Sequence, residues 1–168
     1  MSHINNWILK FADDTKIFSK IIDDKDRDRL QQDLLKLTTW SEEWQMMFNT
    51  TKCKVMHIGK KRVHGQYFMN NHQLNEVKKD LGILISHDLK VSQQCQLAYN
   101  KASRILGLIN RTIEYKHPNI LIRLYKSLVR PHLEYCIAAW SPHYIRDKEL
   151  IERIQRRFTK LMPDLRSL

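Results

Sequence analysis

From Trp7 the chain alternates. Trp7, Leu9 and Phe11 fall on one face of an extended segment. Beyond Asp13 and Asp14, the residues Thr15, Ile17 and Ser19 alternate with Lys16 and Phe18. Period two on both arms of a short polar tip predicts a β-hairpin, with strands over 7–12 and 15–19 and both aspartates in its turn. The stretch DDKDRDR, residues 23–29, reads as a solvated connection or as a first helical turn. Leu30, Leu34, Leu37, Trp44 and Met47 then lie close to a 3.6-residue repeat, which predicts an amphipathic helix over 27–47. Residues 54–59, KVMHIG, read as a short strand stopped by Gly59. Asn70 and Asn71 lie between two strand-like arms in QYFMNNHQL, residues 66–74. Asn tolerates positive φ, so a tight hairpin is expected there. DLGILIS, residues 80–86, reads as a further apolar strand.

Near residue 90 the period changes. Val91, Ala98, Ala102, Ile105 and Ile109 form the stripe of a long helix. Pro118 can open a second helix through residue 129, because its missing N–H falls where no helical bond is required. Pro131 starts a shorter apolar piece, HLEYCIAAW. Asp147 is placed to cap a last helix with Leu150, Ile151, Ile154, Phe158 and Leu161 inside, and with Glu149–Arg153 and Glu152–Arg156 as i,i+4 pairs in the favourable order. The pattern therefore predicts an α+β chain with a mixed region over 1–90 and a compact all-helical region over 91–168, with no internal repeat or low-complexity tract.

Composition sharpens this. The 168 residues allow one domain or two small ones, and 42% hydrophobic residues suffice for a packed core. Lys and Arg number 29 against 18 acids, a net +11 that points to a polyanionic partner, nucleic acid before a membrane surface. The excess is uneven. Residues 91–168 hold 14 Lys/Arg against 6 Asp/Glu, and residues 1–90 hold 15 against 12. Arg153, Arg156, Arg157 and Lys160 cluster in the last helix. Any one of them can be an ordinary solvated residue, but phosphate contact accounts better for the excess of the whole half-chain. The three cysteines are far apart without a CxxC, so neither a zinc ribbon nor a disulfide framework is indicated. Free thiols fit an intracellular setting, nucleus or cytoplasm. No apolar run approaches the length of a membrane span, so a membrane is not expected among the partners.

Adjacent carboxylates at a strand tip repel each other unless they face water or a cation. Mg²⁺ takes oxygen ligands and is usually held by one or two carboxylates plus substrate phosphates. Two such ions can clamp the attacking and leaving oxygens of a phosphoryl transfer. Asp13 and Asp14 are therefore candidate metal ligands, although Asp is also an ordinary turn residue.

The stretch ILKFADDTKIF resembles the catalytic hairpin of reverse transcriptases, written aromatic–x–Asp–Asp. LQQDLLKLTTWSEEWQMMFNTTKCKVMHIGKK is similar to the helix and strand that follow that hairpin in non-LTR, LINE-type and jockey-like retrotransposons. KDLGILISHDLKVSQQCQLAYNKASRILGLI resembles the primer-grip segment and the start of the thumb. LIRLYKSLVRPHLEYCIAAWSPHYIRDKELIERIQRRFTKLMP resembles the rest of the thumb. The motifs are collinear over nearly the whole chain. The resemblance implies a partial polymerase palm over 1–90 (catalytic β-hairpin, helix and short strands) followed by an all-helical thumb over 91–168. It implies that Asp13 is the principal Mg²⁺-binding carboxylate and Asp14 its weaker partner, with Phe11 and Ala12 packed below the tip. Lys52 would face the incoming deoxynucleotide triphosphate, as proton donor to pyrophosphate, or would be a plain surface lysine. Leu81 and Gly82 would belong to the primer grip, where Gly82 allows close backbone approach. The helices after residue 90 would hold an RNA template–DNA primer duplex through phosphates, with Lys101, Arg104, Arg111, Arg153, Arg156 and Arg157 as the contacting cations.

The same resemblance implies a third carboxylate and the fingers, both expected upstream of Met1. The chain then reads as a fragment of an RNA-directed DNA polymerase, a nucleotidyltransferase that is inactive alone. Two other readings stand beside it. One is a non-catalytic basic nucleic-acid-binding module. The other is a helical interaction protein whose binding would be insensitive to salt.

Overall fold

A computed structural model describes residues 4–11, 13–59 and 65–162, with the side chain of Phe11 outside the description. It is α+β, mixed helix and short strands. The chain divides into two compact units, Met1–Val77 and Lys78–Leu168. The sequence pattern places the change near residue 90, but the division falls after Val77. Residues 78–90 group with the helices because Gln94, on the first turns of the long helix, accepts from the Leu84 amide at 2.9 Å. Ile83 also packs on the buried trio Cys95, Ala98 and Trp140.

In the first unit, strand β1 (Trp7–Phe11) pairs antiparallel with β2 (Asp14–Phe18), Trp7 opposite Phe18 and Phe11 opposite Asp14. The expected hairpin is present, with Asp13 in a turn just before the second strand. Asp14 is the first residue of β2 rather than part of the turn. Helix α1 spans Asp24–Glu43. The charged run 23–29 is its start. The Asp23 side chain accepts from the Asp26 amide at 3.0 Å, and the Asp26 carboxylate accepts from the Ile22 amide at 3.0 Å. This reciprocal cap satisfies two amides at the helix entrance. The helix ends four residues before the expected Met47. Gln45 takes φ 53°, its amide donates to Glu42 O at 3.2 Å, and Met46 N donates to Ser41 O at 2.9 Å. Those paired bonds and a left-handed residue form a Schellman end. Trp44 and Met47 thus leave the helical stripe and are exposed.

Beyond α1 the strands are two residues each. The expected strand 54–59 reduces to β3 (Lys54–Val55), which pairs parallel with β6 (Asn75–Glu76). Between them lies the expected Asn–Asn hairpin, β4 (Phe68–Met69) with β5 (His72–Gln73). Asn70 and Asn71 have φ of 50° and 57°, the left-handed pair that a two-residue hairpin turn requires. The Gln31 amide fastens β4 to α1, donating to Phe68 O at 2.8 Å and accepting from Phe68 N at 2.9 Å. Leu37, Tyr67, Met69 and Leu74 form the buried core, with Ile17, Leu30 and Leu34 against it.

In the second unit, DLGILIS is not one strand. It folds as a hairpin of β7 (Lys79–Asp80) and β8 (Ile83–Leu84) around Leu81 and Gly82. Helix α2 (Ser92–Thr112) follows, then α3 (Pro118–Leu124) with Pro118 in its first turn, as its missing donor predicts. Tyr125–Val129 forms a π-helical turn that leads into α4 (Arg130–Glu134). The helical run therefore passes through Pro131 instead of stopping at residue 129. The wider turn just before the ring relieves the clash that proline makes inside an α-helix. Cys136, in the left-handed region at φ 51°, turns the chain into α5 (Ile137–Trp140). The last helix is α6 (Ile145–Thr159). Asp147 is not its cap but sits inside its first turn, buried, where it accepts from the Ser92 hydroxyl at 2.5 Å. The expected apolar stripe faces inward. Ile154 and Phe158 are buried in one cluster with Ala102, Leu106, Ile109, Leu121, Val129, Leu133 and Met162. Of the two expected i,i+4 pairs, Glu152–Arg156 forms at 3.0 Å.

Candidate functional site

The hairpin is held at its base by a group that alternation cannot reveal. Asp33, in the middle of α1, is fully buried. Its Oδ2 accepts from the amides of Asn5 and Asn6 and from Asn6 Nδ2, each at 2.9 Å, and Oδ1 accepts from Lys36 Nζ at 3.0 Å. A buried carboxylate with this many donors is satisfied, and it fixes the segment that enters β1. The inner face of the hairpin adds Ile17 against the core and the Lys10 ammonium 5.7 Å from the Trp40 ring. The anchoring signal in the sequence is an acid on the apolar side of a helix, one turn before Leu37.

On this support Asp13 and Asp14 are both exposed, Asp13 in the loop and Asp14 opposite Phe11. Ala12 and the Phe11 side chain, expected to pack below the tip, lie outside the described residues. The outer face of the hairpin carries Trp7, 77% exposed, with Leu9 and Phe18 also open. Two adjacent, solvent-facing carboxylates fit an ion that keeps several waters and takes its other ligands from phosphates. They do not form an all-protein cage. Among the described residues no three of His, Cys, Asp and Glu gather to hold a metal.

Lys52 is exposed in the turn after α1, where its amide donates to Asn49 O at 3.0 Å. Among the described residues it forms no ion pair with Asp13 or Asp14.

Leu81 and Gly82 are the two turn residues of β7–β8, with φ of 46° and 82°. A left-handed leucine costs roughly 1–2 kcal/mol. The Tyr135 hydroxyl donates to Leu81 O at 3.0 Å and helps to hold it there. A Cβ on Gly82 would come no nearer than 3.7 Å to the Tyr135 ring, so within the chain it is the turn's φ that calls for glycine. Asp88 steadies the connection to α2. It accepts from the Ser86 hydroxyl at 2.6 Å and the Lys90 amide at 3.2 Å, and these bonds hold its carboxyl well below the ordinary carboxylate range.

The expected cations Lys101, Arg104 and Arg111 on α2, and Arg153, Arg156 and Arg157 on α6, are all exposed. Arg157 donates to the Ser103 hydroxyl on α2 at 2.6 Å, which brings the basic face of α6 beside α2. In the cluster with Ala98 and Trp140, burial pushes the Cys95 thiol up to about 11, with the nearby Asp147 carboxylate adding to the shift.

The fold and site define an α+β chain with a carboxylate-tipped hairpin in one unit and an exposed basic surface on the helices of the other. No family model, no curated protein and no solved structure matches the chain. Among the described residues, no helix is long and apolar enough to cross a membrane.

Proposed function

We propose that this chain is the palm-and-thumb part of a non-LTR retrotransposon reverse transcriptase, an RNA-directed DNA polymerase, and that it does not complete the reaction alone. The observation that carries the reading is the hairpin itself. Two exposed aspartates stand at its tip, one in the loop and one opening β2, braced by Asp33 at its base. That is where a site for phosphate-bound Mg²⁺ needs its carboxylates. In this reading Asp13 and Asp14 hold Mg²⁺ together with the triphosphate of a deoxynucleotide, and the metal supplies charge neutralisation at the transferring phosphate. Leu81 and Gly82 present turn backbone toward the primer. The cations of α2 and α6 hold an RNA–DNA duplex by its phosphates, independently of sequence.

The family resemblance calls for a third carboxylate beside Asp13 and Asp14 in the two-ion site, so in this reading the 168 residues with Mg²⁺, deoxynucleotides and a primed RNA template should yield no extended primer. Supplying a fingers-and-palm segment with a further carboxylate should produce extension, and Asp13→Ala should then remove it. Template-dependent extension by the 168 residues alone would overturn the claim that the site is incomplete. Failure of any added segment to give extension would overturn the polymerase reading.

The basic helical surface supports a second reading, a non-catalytic nucleic-acid-binding module. It shares the prediction of salt-sensitive duplex binding and lacks that of restored extension.

A further inference from the structure

The turn between α2 and α3 carries an aromatic pair with no place in the hydrophobic core. Tyr115 is 73% exposed. Its ring stacks on that of His117, with centroids 6.0 Å apart and planes 26° apart. The His117 ring is not free to swing away, because its Nδ1 accepts from the Asn119 amide at 3.3 Å as the cap of α3. Tyr115 therefore lies beside a ring tied to the start of α3 and is open to solvent over most of its surface. The flanking sequence is cationic. Residues 101–130 contain seven Lys and Arg, and Glu114 is the one acid among them. Arg111, in the last turn of α2, and Lys116 flank the pair in sequence.

We propose that Tyr115 is a stacking platform for an unpaired base of a single-stranded nucleic acid, with Arg111 and Lys116 taking the adjacent phosphates. An aromatic face next to cations is the combination that binds single strands without reading sequence, since every base presents a π-face while the backbone is held by charge. The ordered His117 ring lowers the cost of fixing Tyr115 at the moment of binding. Duplex does not satisfy this site, because its bases are already stacked on each other. The proposal rests on the nucleic-acid reading of the helical unit and adds the strand form and the residue that distinguishes it. It does not depend on the carboxylate hairpin.

The test is fluorescence anisotropy at low salt with the full chain and three probes. These are a labelled single strand of about ten nucleotides, the same strand made abasic throughout, and a duplex of equal length. The native protein should bind the base-bearing strand more tightly than the abasic one. Tyr115→Ala should weaken binding of the base-bearing strand about tenfold, down to the abasic level, and leave the abasic strand and the duplex unchanged. Tyr115→Phe should bind like the native protein. Circular dichroism melting of both variants should match the native chain, since the side chain is outside the core. Unchanged affinity of Tyr115→Ala for the base-bearing strand, or an equal loss on all three probes, would overturn the platform and leave phosphate binding intact. If the native protein binds none of the probes, the platform and the nucleic-acid reading of the helical unit fall together.

Discussion

In Lys78–Leu168 nine buried side chains, drawn from α2, α3, the π turn, α4, α6 and the turn after it, form one cluster. Cys95, Ala98 and Trp140 form a smaller cluster in the same unit. Among the described residues of Met1–Val77 the buried cluster has four members, and the strands beyond the first hairpin are two residues long. What ties that unit together is more polar, with Asp33 clasping the chain before β1 and Gln31 clasping β4. The helical unit is thus held by apolar burial, which is distributed and non-directional. The first unit relies on a few directional bonds, each of which leaves unpaired donors if it is lost. One consequence is that the hairpin bearing Asp13 and Asp14 depends on a residue in the middle of a helix.

The largest effect should come from removing the centre of the helical cluster. Ile154→Ala should cost about 2–5 kcal/mol and unfold α2 and α6 together, read as loss of hydrogen-exchange protection in both. If their protection survives, that cluster is not the cooperative unit described above. Asp33→Ala should cost about 1–3 kcal/mol, and its loss of protection should be confined to residues before Val77. Equal loss in both units would break the contrast between them.

Next come the charges. Reversing Arg153, Arg156 and Arg157 together to Glu should weaken duplex binding at least tenfold. It should also flatten the salt dependence by about one power of salt for each phosphate that is no longer neutralised, by counterion release. Among the described residues Arg153 makes no ion pair, whereas Arg156 is paired with Glu152 and Arg157 with Ser103. Arg153→Glu should therefore cost more than either other single reversal.

Smaller effects follow from two titrations in the helical unit. Burial raises the Cys95 thiol from its usual 9.0 to about 11, so the stability this gives is complete below pH 9 and is lost as pH rises through about 11. Denaturant midpoints of the native protein should fall over that window more than those of Cys95→Ala. At neutral pH iodoacetamide should label exposed Cys136 well before Cys95. Asp88 has the opposite sign. Its carboxyl is held low by Ser86 and Lys90, so its contribution is present above pH 3.8 and disappears as pH falls below that. It is on the surface, so Asp88→Asn should flatten the acid side of the stability profile only slightly, and a large change would mean that the β8–α2 connection is more cooperative with the core than its geometry shows.

The sequence by itself determined the elements whose signals are local. Period two around Asp13 and Asp14 marked the first hairpin, Asn70 and Asn71 marked their own turn because each tolerates positive φ, and Pro118 marked the opening of α3. The apolar stripe of α6 turned inward as its repeat requires. The exposure of the two aspartates and of the six basic residues was likewise legible, since none of them lies on an apolar stripe. Tertiary structure decided the rest. Periodicity carried α1 on to Met47, but a left-handed Gln45 and two backbone bonds ended it at Glu43. Leu81 read as strand because leucine rarely enters the left-handed region, and it does so here with the help of a hydroxyl 54 residues away. Asp147 has the residue type of a cap, but the bond it makes goes to Ser92, 55 residues distant. Asp33 has no local pattern of its own, because its partners lie 27 and 28 residues earlier. Local sequence reports the preferences of a segment. Which polar group is buried, and against whom, depends on long-range partners that local periodicity does not encode.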